Sequence, residues 1–225
     1  GYKAGYALTT GDSNTIIGAL AADLVDTMVN SVVIGQGSMT DVPASQAISS
    51  VVAIGKNAIS GSSSTTTGID GTVAIGYSAL TALTTGAKNT AIGYNAMLSA
   101  TLSNNNVAIG YAAMDAMVGD DANNCGKWNV AMGVDAMGAV NANTHASSSS
   151  NSNIAIGHEA MLGGALPSGA GTTFDGNIAI GHQALQDTGA NASIGQVAIG
   201  YKALTDLTSG ARNLAIGYEA LDSLT

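Results

Sequence analysis

The sequence predicts an all-β fold: a repeat β-solenoid, or parallel β-roll, with coils of about 17 residues, each a strand followed by a short helical turn. Three observations predict it. A five-residue apolar motif ending in glycine recurs eleven times, the recurrences keep a base interval, and the composition suits no conventional core. Only 9% of the 225 residues are Asp, Glu, Lys or Arg and 4% are aromatic, against roughly 25% charged in an ordinary soluble domain. With 30 glycines and 2 prolines, such a chain must rely on close backbone approach, small-residue packing and dense hydrogen bonding.

The motif copies are NTIIG (14–18), SVVIG (31–35), VVAIG (51–55), TVAIG (72–76), NTAIG (89–93) and NVAIG (106–110). They continue with NVAMG (129–133), NIAIG (153–157), NIAIG (177–181), QVAIG (196–200) and NLAIG (213–217). The repeat-defining glycines are Gly18, Gly35, Gly55, Gly76, Gly93, Gly110, Gly133, Gly157, Gly181, Gly200 and Gly217, at intervals of 17, 20, 21, 17, 17, 23, 24, 24, 19 and 17 residues. The unit is therefore 17 residues, and the longer intervals hold insertions near 36–50, 118–128, 141–152 and 163–176. Gly1-Tyr2-Lys3-Ala4 falls 17 residues before Gly18 and reads as a truncated twelfth copy. Residues 1–225 are thus expected to be one continuous array, a fragment or protomer of a longer fibre.

Each position of the unit has a physical reading. The motif alternates side chains and is bounded by turn residues, which suits a strand of about five residues. The isoleucine just before the glycine is expected to point inward as an aliphatic stack, with the preceding alanine on the opposite face. The glycine lets the chain bend or a neighbour approach. Asparagine stands four residues before the glycine in seven copies: 14, 89, 106, 129, 153, 177 and 213. Two readings are open there: a ladder of stacked carboxamides along the axis, or turn asparagines bonding their own backbone. Leu or Met four residues after the glycine, with a second apolar residue at plus seven, suits one helical turn. Residues 19–29 carry Leu20, Leu24, Val25 and Met28 on one helical face. One unit cannot bury its apolar face alone, and stacking eleven or twelve gives a rod of roughly 50–60 Å.

The repeat N-x-A-I-G followed by Y-x-A-L, as in NTAIGYNAM (89–97) and NLAIGYEAL (213–221), resembles the head repeats of trimeric bacterial autotransporter adhesins. It is similar also to the N-T-A-I-G-Y-x-A-L repeats of phage tail fibres. The resemblance covers essentially the whole chain, although the 17-residue unit adds an A-L-x-x-L segment to the adhesin pattern. It implies a left-handed β-roll with three chains about one axis, on a cell surface or virion. A homotrimer also follows from the residues, because burying an apolar Ala/Gly face between subunits would cover edges that otherwise aggregate. A monomeric solenoid and a self-polymerising extracellular filament are the remaining alternatives.

The formal charge is −9 with no basic cluster, which disfavours nucleic acid and anionic membranes as partners. No apolar run approaches the roughly 20 residues that span a bilayer, so no membrane insertion by this segment is expected. The sequence holds no G-x-S-x-G, phosphate loop, H-E-x-x-H or C-x-x-C, so no catalytic residue, cofactor or metal is assigned. Tyr2, Tyr77, Tyr94, Tyr111, Tyr201 and Tyr218 follow the repeat glycine, and His158 and His182 take the same slot. A structural column of rings is the reading, with sugar stacking or a His metal pair as the alternatives.

The candidate recognition loop is 118–128, with Asp120, Asp121, Asn123, Asn124 and the sole tryptophan, Trp128. Calcium is one reading of those oxygens, although their spacing is not that of the helix-loop-helix motif; a solvated turn is the simpler one. Trp128 reads as an anchor in the core, with an exposed sugar platform as the alternative. Cys125, the only cysteine, reads as a free or half-buried thiol. Residues 141–153 read as a flexible polar loop, and 163–177 as another, with Phe174 tucking it down. The expected role is non-enzymatic: a stiff extracellular rod that displays loops, bound to itself and to a host-surface glycan or protein.

Overall fold

A computed structural model describes residues 1–43, 47–61, 68–118, 126–140, 149–163, 173–187, 193–207 and 210–224. Asp120, Asp121, Asn123, Asn124 and Cys125 lie outside the described residues. The chain runs through β1 (Thr15–Ile17), β2 (Thr27–Val29), β3 (Val32–Ile34), β4 (Ala47–Ser49), β5 (Val52–Ile54), β6 (Val73–Ile75), β7 (Thr90–Ile92) and β8 (Val107–Ile109). It continues through β9 (Val130–Met132), β10 (Ser149–Asn151), β11 (Ile154–Ile156), β12 (Thr173–Asp175), β13 (Ile178–Ile180), β14 (Ser193–Ile194), β15 (Val197–Ile199) and β16 (Leu214–Ile216). Every pairing among them is parallel, and the described residues contain no helix.

The strands of the eleven motifs form a single sheet, in the order β1-β3-β5-β6-β7-β8-β9-β11-β13-β15-β16. Equivalent residues pair throughout: Ala74 with Ala91, Ala91 with Ala108, and Ala108 with Ala131. The protein is therefore a β-solenoid, and ten strand spacings of about 4.8 Å make its sheet about 48 Å long. The strands of this sheet hold three residues each rather than the expected five, although the bracketing asparagine carbonyl and glycine N–H still bond to neighbouring coils, as in Thr90 N to Asn106 O and Gly93 N to Ile75 O.

Further strands build additional sheets in a 17-residue coil as well as in coils lengthened by insertions. β2 pairs with β4, and β10-β12-β14 form a three-stranded sheet, each ending six residues before the repeat glycine. Ser149–Asn151 and Thr173–Asp175 thus lie in strands where the sequence suggested loops. Phe174 is fully buried there, tucked down as expected.

The segment after the glycine is where the expected helical turn fails. In GYSAL (76–80), Ser78 has φ 54° and Leu80 has φ 54°; Asn95 and Met97, and Lys202 and Leu204, repeat the alternation. Residues 19–29 behave alike, with Leu20 at φ 58° and Ala22 at φ 48°, and then enter β2. Alternate left-handed residues wind the chain into a turn that buries Ala79 and Leu80 side by side while Tyr77 stays exposed. A helix would have rotated them about its axis. The arrangement holds strain of roughly 1–2 kcal/mol per residue. Full burial of Leu80, Met97, Met114, Met137, Met161, Leu185 and Leu204 opposes that cost.

Burial inverts the expected sheet faces. Ala53, Ala74, Ala91, Ala108, Ala131, Ala155, Ala179 and Ala198 are fully buried, while the flanking Val and Ile point outward. Ala91 sits in a core that also holds Ala96, Met97 and Ala100. The coil is thin: nine strands place only a methyl between the sheet and the turn opposite, and the first two place Ile16 and Val33 there. The Ala/Gly face is consequently internal and not the surface available to other chains.

The repeat glycine is fixed by its neighbour one coil away. Gly93 has φ 141°, and a Cβ there would stand 2.2 Å from the Gly110 carbonyl oxygen; Gly110 meets Gly133 in the same way at 2.3 Å. No L side chain fits such a column.

Candidate functional site

The outward face of the main sheet is the largest uniform surface that the fold builds. Of the two outward positions on each of eleven strands, only Thr15 and Thr90 are polar and none is charged. One column runs Val73, Thr90, Val107, Val130, Ile154; the other runs Ile75, Ile92, Ile109, Met132, Ile156. Sequence reasoning assigned these isoleucines to the core, because aliphatic residues usually are. The signal that identifies the inner face is the alanine, which nine of eleven copies hold at this position while the flanking positions carry larger side chains.

An asparagine ladder holds this sheet to the rest of the coil. The Asn129 backbone N–H donates to Asn106 Oδ1 at 2.8 Å, and Asn129 Nδ2 donates to Asn106 Oδ1 at 3.2 Å. Asn129 Nδ2 also donates to the Ser150 carbonyl at 2.9 Å, linking to β10 of the next coil. Asn153 and Asn177 repeat the pattern, and both are fully buried. Of the two readings left open by the sequence, the ladder along the axis is the one present. Gln196 serves in the same slot, accepting from Asn213 N at 2.8 Å and donating to the Gly210 carbonyl at 2.8 Å.

Seven of the eight rings after the glycine form the expected column, in two runs; Tyr2 stands outside it, with Ala19 in the same slot of the next coil. Tyr77 stacks on Tyr94 at 4.9 Å between centroids, and Tyr94 on Tyr111 at 5.5 Å. His158, His182, Tyr201 and Tyr218 form the second run, at 5.0, 5.3 and 5.1 Å. Val134 occupies the slot between the runs. Stacking covers the ring faces and leaves the edges outward, so the inner rings do not offer the open faces that sugar stacking needs. His158 has Glu159 at 3.8 Å, and Glu159 also accepts from Gln183 and Gln186. Among the described residues no group of three or more His, Cys, Asp or Glu could hold a metal ion.

Trp128 does not anchor the core: it is 51% exposed. It stands five residues before Gly133 at φ 58°, a left-handed corner held elsewhere by Ser13, Asn30, Ser50, Lys88, Asn105, Ser152 and Arg212. Side chains at that corner point away from the coil, which puts the indole outside. An open depression of about 290 Å³ lies between the first coils, lined in part by Gln36, Thr40, Asp41 and Lys56. Among the described residues no helix is long and apolar enough to cross a membrane. The chain matches no protein-family model, and no curated protein is similar to it at a significant level.

Proposed function

We propose that the chain is a non-enzymatic structural and adhesive segment of an extracellular fibre, a stiff rod that displays its insertions at a cell or virion surface. The observation that carries this reading is the outward sheet face. It is about 48 Å long and about 7 Å wide, roughly 350 Å² in projection, and free of charge over its whole extent. An apolar patch of this size matches the largest patch of a typical monomer, which is often functional. Its partner is a second and third copy of the chain, which gives a homotrimer packed through the Val and Ile columns. The buried Ala face takes no part. Three parallel rods would present their insertions in threefold copies, and weak contacts to a host-surface glycan or protein would add as avidity.

Light scattering on the purified chain tests the self-association on which the rod depends. A mass about three times 22.0 kDa is expected. Open-ended particles would favour the filament instead, and a single-chain mass at every concentration would overturn the reading.

A further inference from the structure

We propose that the stacked tyrosines are oxidative coupling sites at which neighbouring coils become covalently stapled, Tyr94 to Tyr77 or Tyr111 and Tyr201 to Tyr218. The geometry comes first. Ring planes in the three pairs lie within 9°, 9° and 12° of parallel, at 4.9, 5.5 and 5.1 Å. All five side chains leave equivalent backbone positions, so each ring presents to the next the same ring carbons beside the phenol oxygen. Tyr77, Tyr94, Tyr111 and Tyr201 are 39–54% exposed and Tyr218 is 73% exposed, so their edges are open to an oxidant.

The chemistry requires a one-electron oxidant of the peroxidase class with hydrogen peroxide as its terminal electron acceptor. Each of two phenols gives up one electron and one proton. The radicals join through the ring carbons ortho to oxygen, and tautomerisation restores both phenols. In sum, two tyrosines and one peroxide give one dityrosine and two waters. A ring held against its neighbour reacts at an effective concentration far above that of any second molecule in dilute solution. His182 continues the stack beyond Tyr201 without a phenol, so coupling in that run is confined to Tyr201 and Tyr218. Val134 separates the two runs.

The experiment treats the full-length chain, dilute, with peroxidase and hydrogen peroxide. It reads dityrosine fluorescence, the size on a denaturing gel, and the mass of proteolytic fragments. The expected result is dityrosine in single-chain bands, with fragment pairs that join Tyr77 to Tyr94, Tyr94 to Tyr111, or Tyr201 to Tyr218. Tyr94→Phe keeps a ring in the stack and should keep the fold, yet it removes coupling from one of the two runs, so dityrosine falls to about half. Coupling mainly between chains, coupling that joins non-neighbouring tyrosines, a yield unchanged in Tyr94→Phe, or no dityrosine at all would each overturn the proposal.

Discussion

The Asn129 side-chain oxygen accepts both the backbone N–H and the Nδ2 of Asn153, each at 3.0 Å, although the two residues are 24 apart in sequence. One carboxamide thus closes a coil against the next. Because Asn89, Asn106, Asn129, Asn153 and Asn177 are fully buried, removing one of them leaves donors and acceptors without protein or water partners.

Asn129→Leu should therefore cost about 3 kcal/mol or more, since it takes the acceptor from the Asn153 backbone N–H and the Nδ2 donor from Asn106 Oδ1 and the Ser150 carbonyl. Asn129→Gln should cost distinctly less, because Gln196 already makes the equivalent bonds. Urea unfolding of both variants checks the ordering.

Glycine should be irreplaceable in its column and replaceable at a corner. Gly93→Ala drives a Cβ to 2.2 Å from the Gly110 carbonyl oxygen and should destabilise by more than about 4 kcal/mol or abolish folding. Gly176 has φ 68° and open space around a would-be Cβ, and Ser152 and Asn105 hold the same corner in other coils. Gly176→Asn should stay within about 1 kcal/mol of the parent. Thermal melts of the pair decide it.

Much of this architecture is legible in the sequence, and what is not has a physical cause. Eleven copies of one motif specify parallel register, because identical residues stack best upon themselves. The ring column and the buried Phe174 follow from the same periodicity. The facing of the strand does not. Hydrophobicity ranks Ile above Ala for burial, and only the thinness of the coil reverses that order. Nor does the turn reveal itself, since A-L-x-x-L fits a helix by spacing while Leu80 and Leu204 adopt left-handed φ. Trp128 departs from the expectation for a related reason: large aromatic rings are usually core, but this one occupies a corner whose side chains point outward.

The same inversion separates two outcomes for a lysine on the strand. Ile92→Lys and Ile109→Lys place the charge on the outward columns. Each should leave the circular dichroism and the melt of the single chain nearly unchanged; if the proposed trimer packs through these columns, the mass should also fall from about three chains to one. Were these positions internal, an unpaired ammonium would cost several kcal/mol and the variants would unfold.

Acid should stabilise the protein slightly at Asp115. Partial burial raises its carboxyl above the ordinary range, and the charge of Asp135 adds to the shift. A carboxyl raised in the folded state binds protons more readily there than in the unfolded chain, so this group's contribution improves as pH falls through its folded value. Asp115→Asn should raise the melting temperature at pH 7 and lose that advantage near pH 4, an effect below about 1 kcal/mol because the group is partly solvated. Melts of parent and variant across that range measure it.

The most direct measurement of the in-register stack is a methyl contact map from nuclear magnetic resonance on alanine-labelled protein. The account predicts an unbroken walk through Ala53, Ala74, Ala91, Ala108, Ala131, Ala155, Ala179, Ala198 and Ala215, each methyl meeting only the next coil's equivalent and its own coil's core. Contacts that skip coils or join these alanines in another order would contradict it.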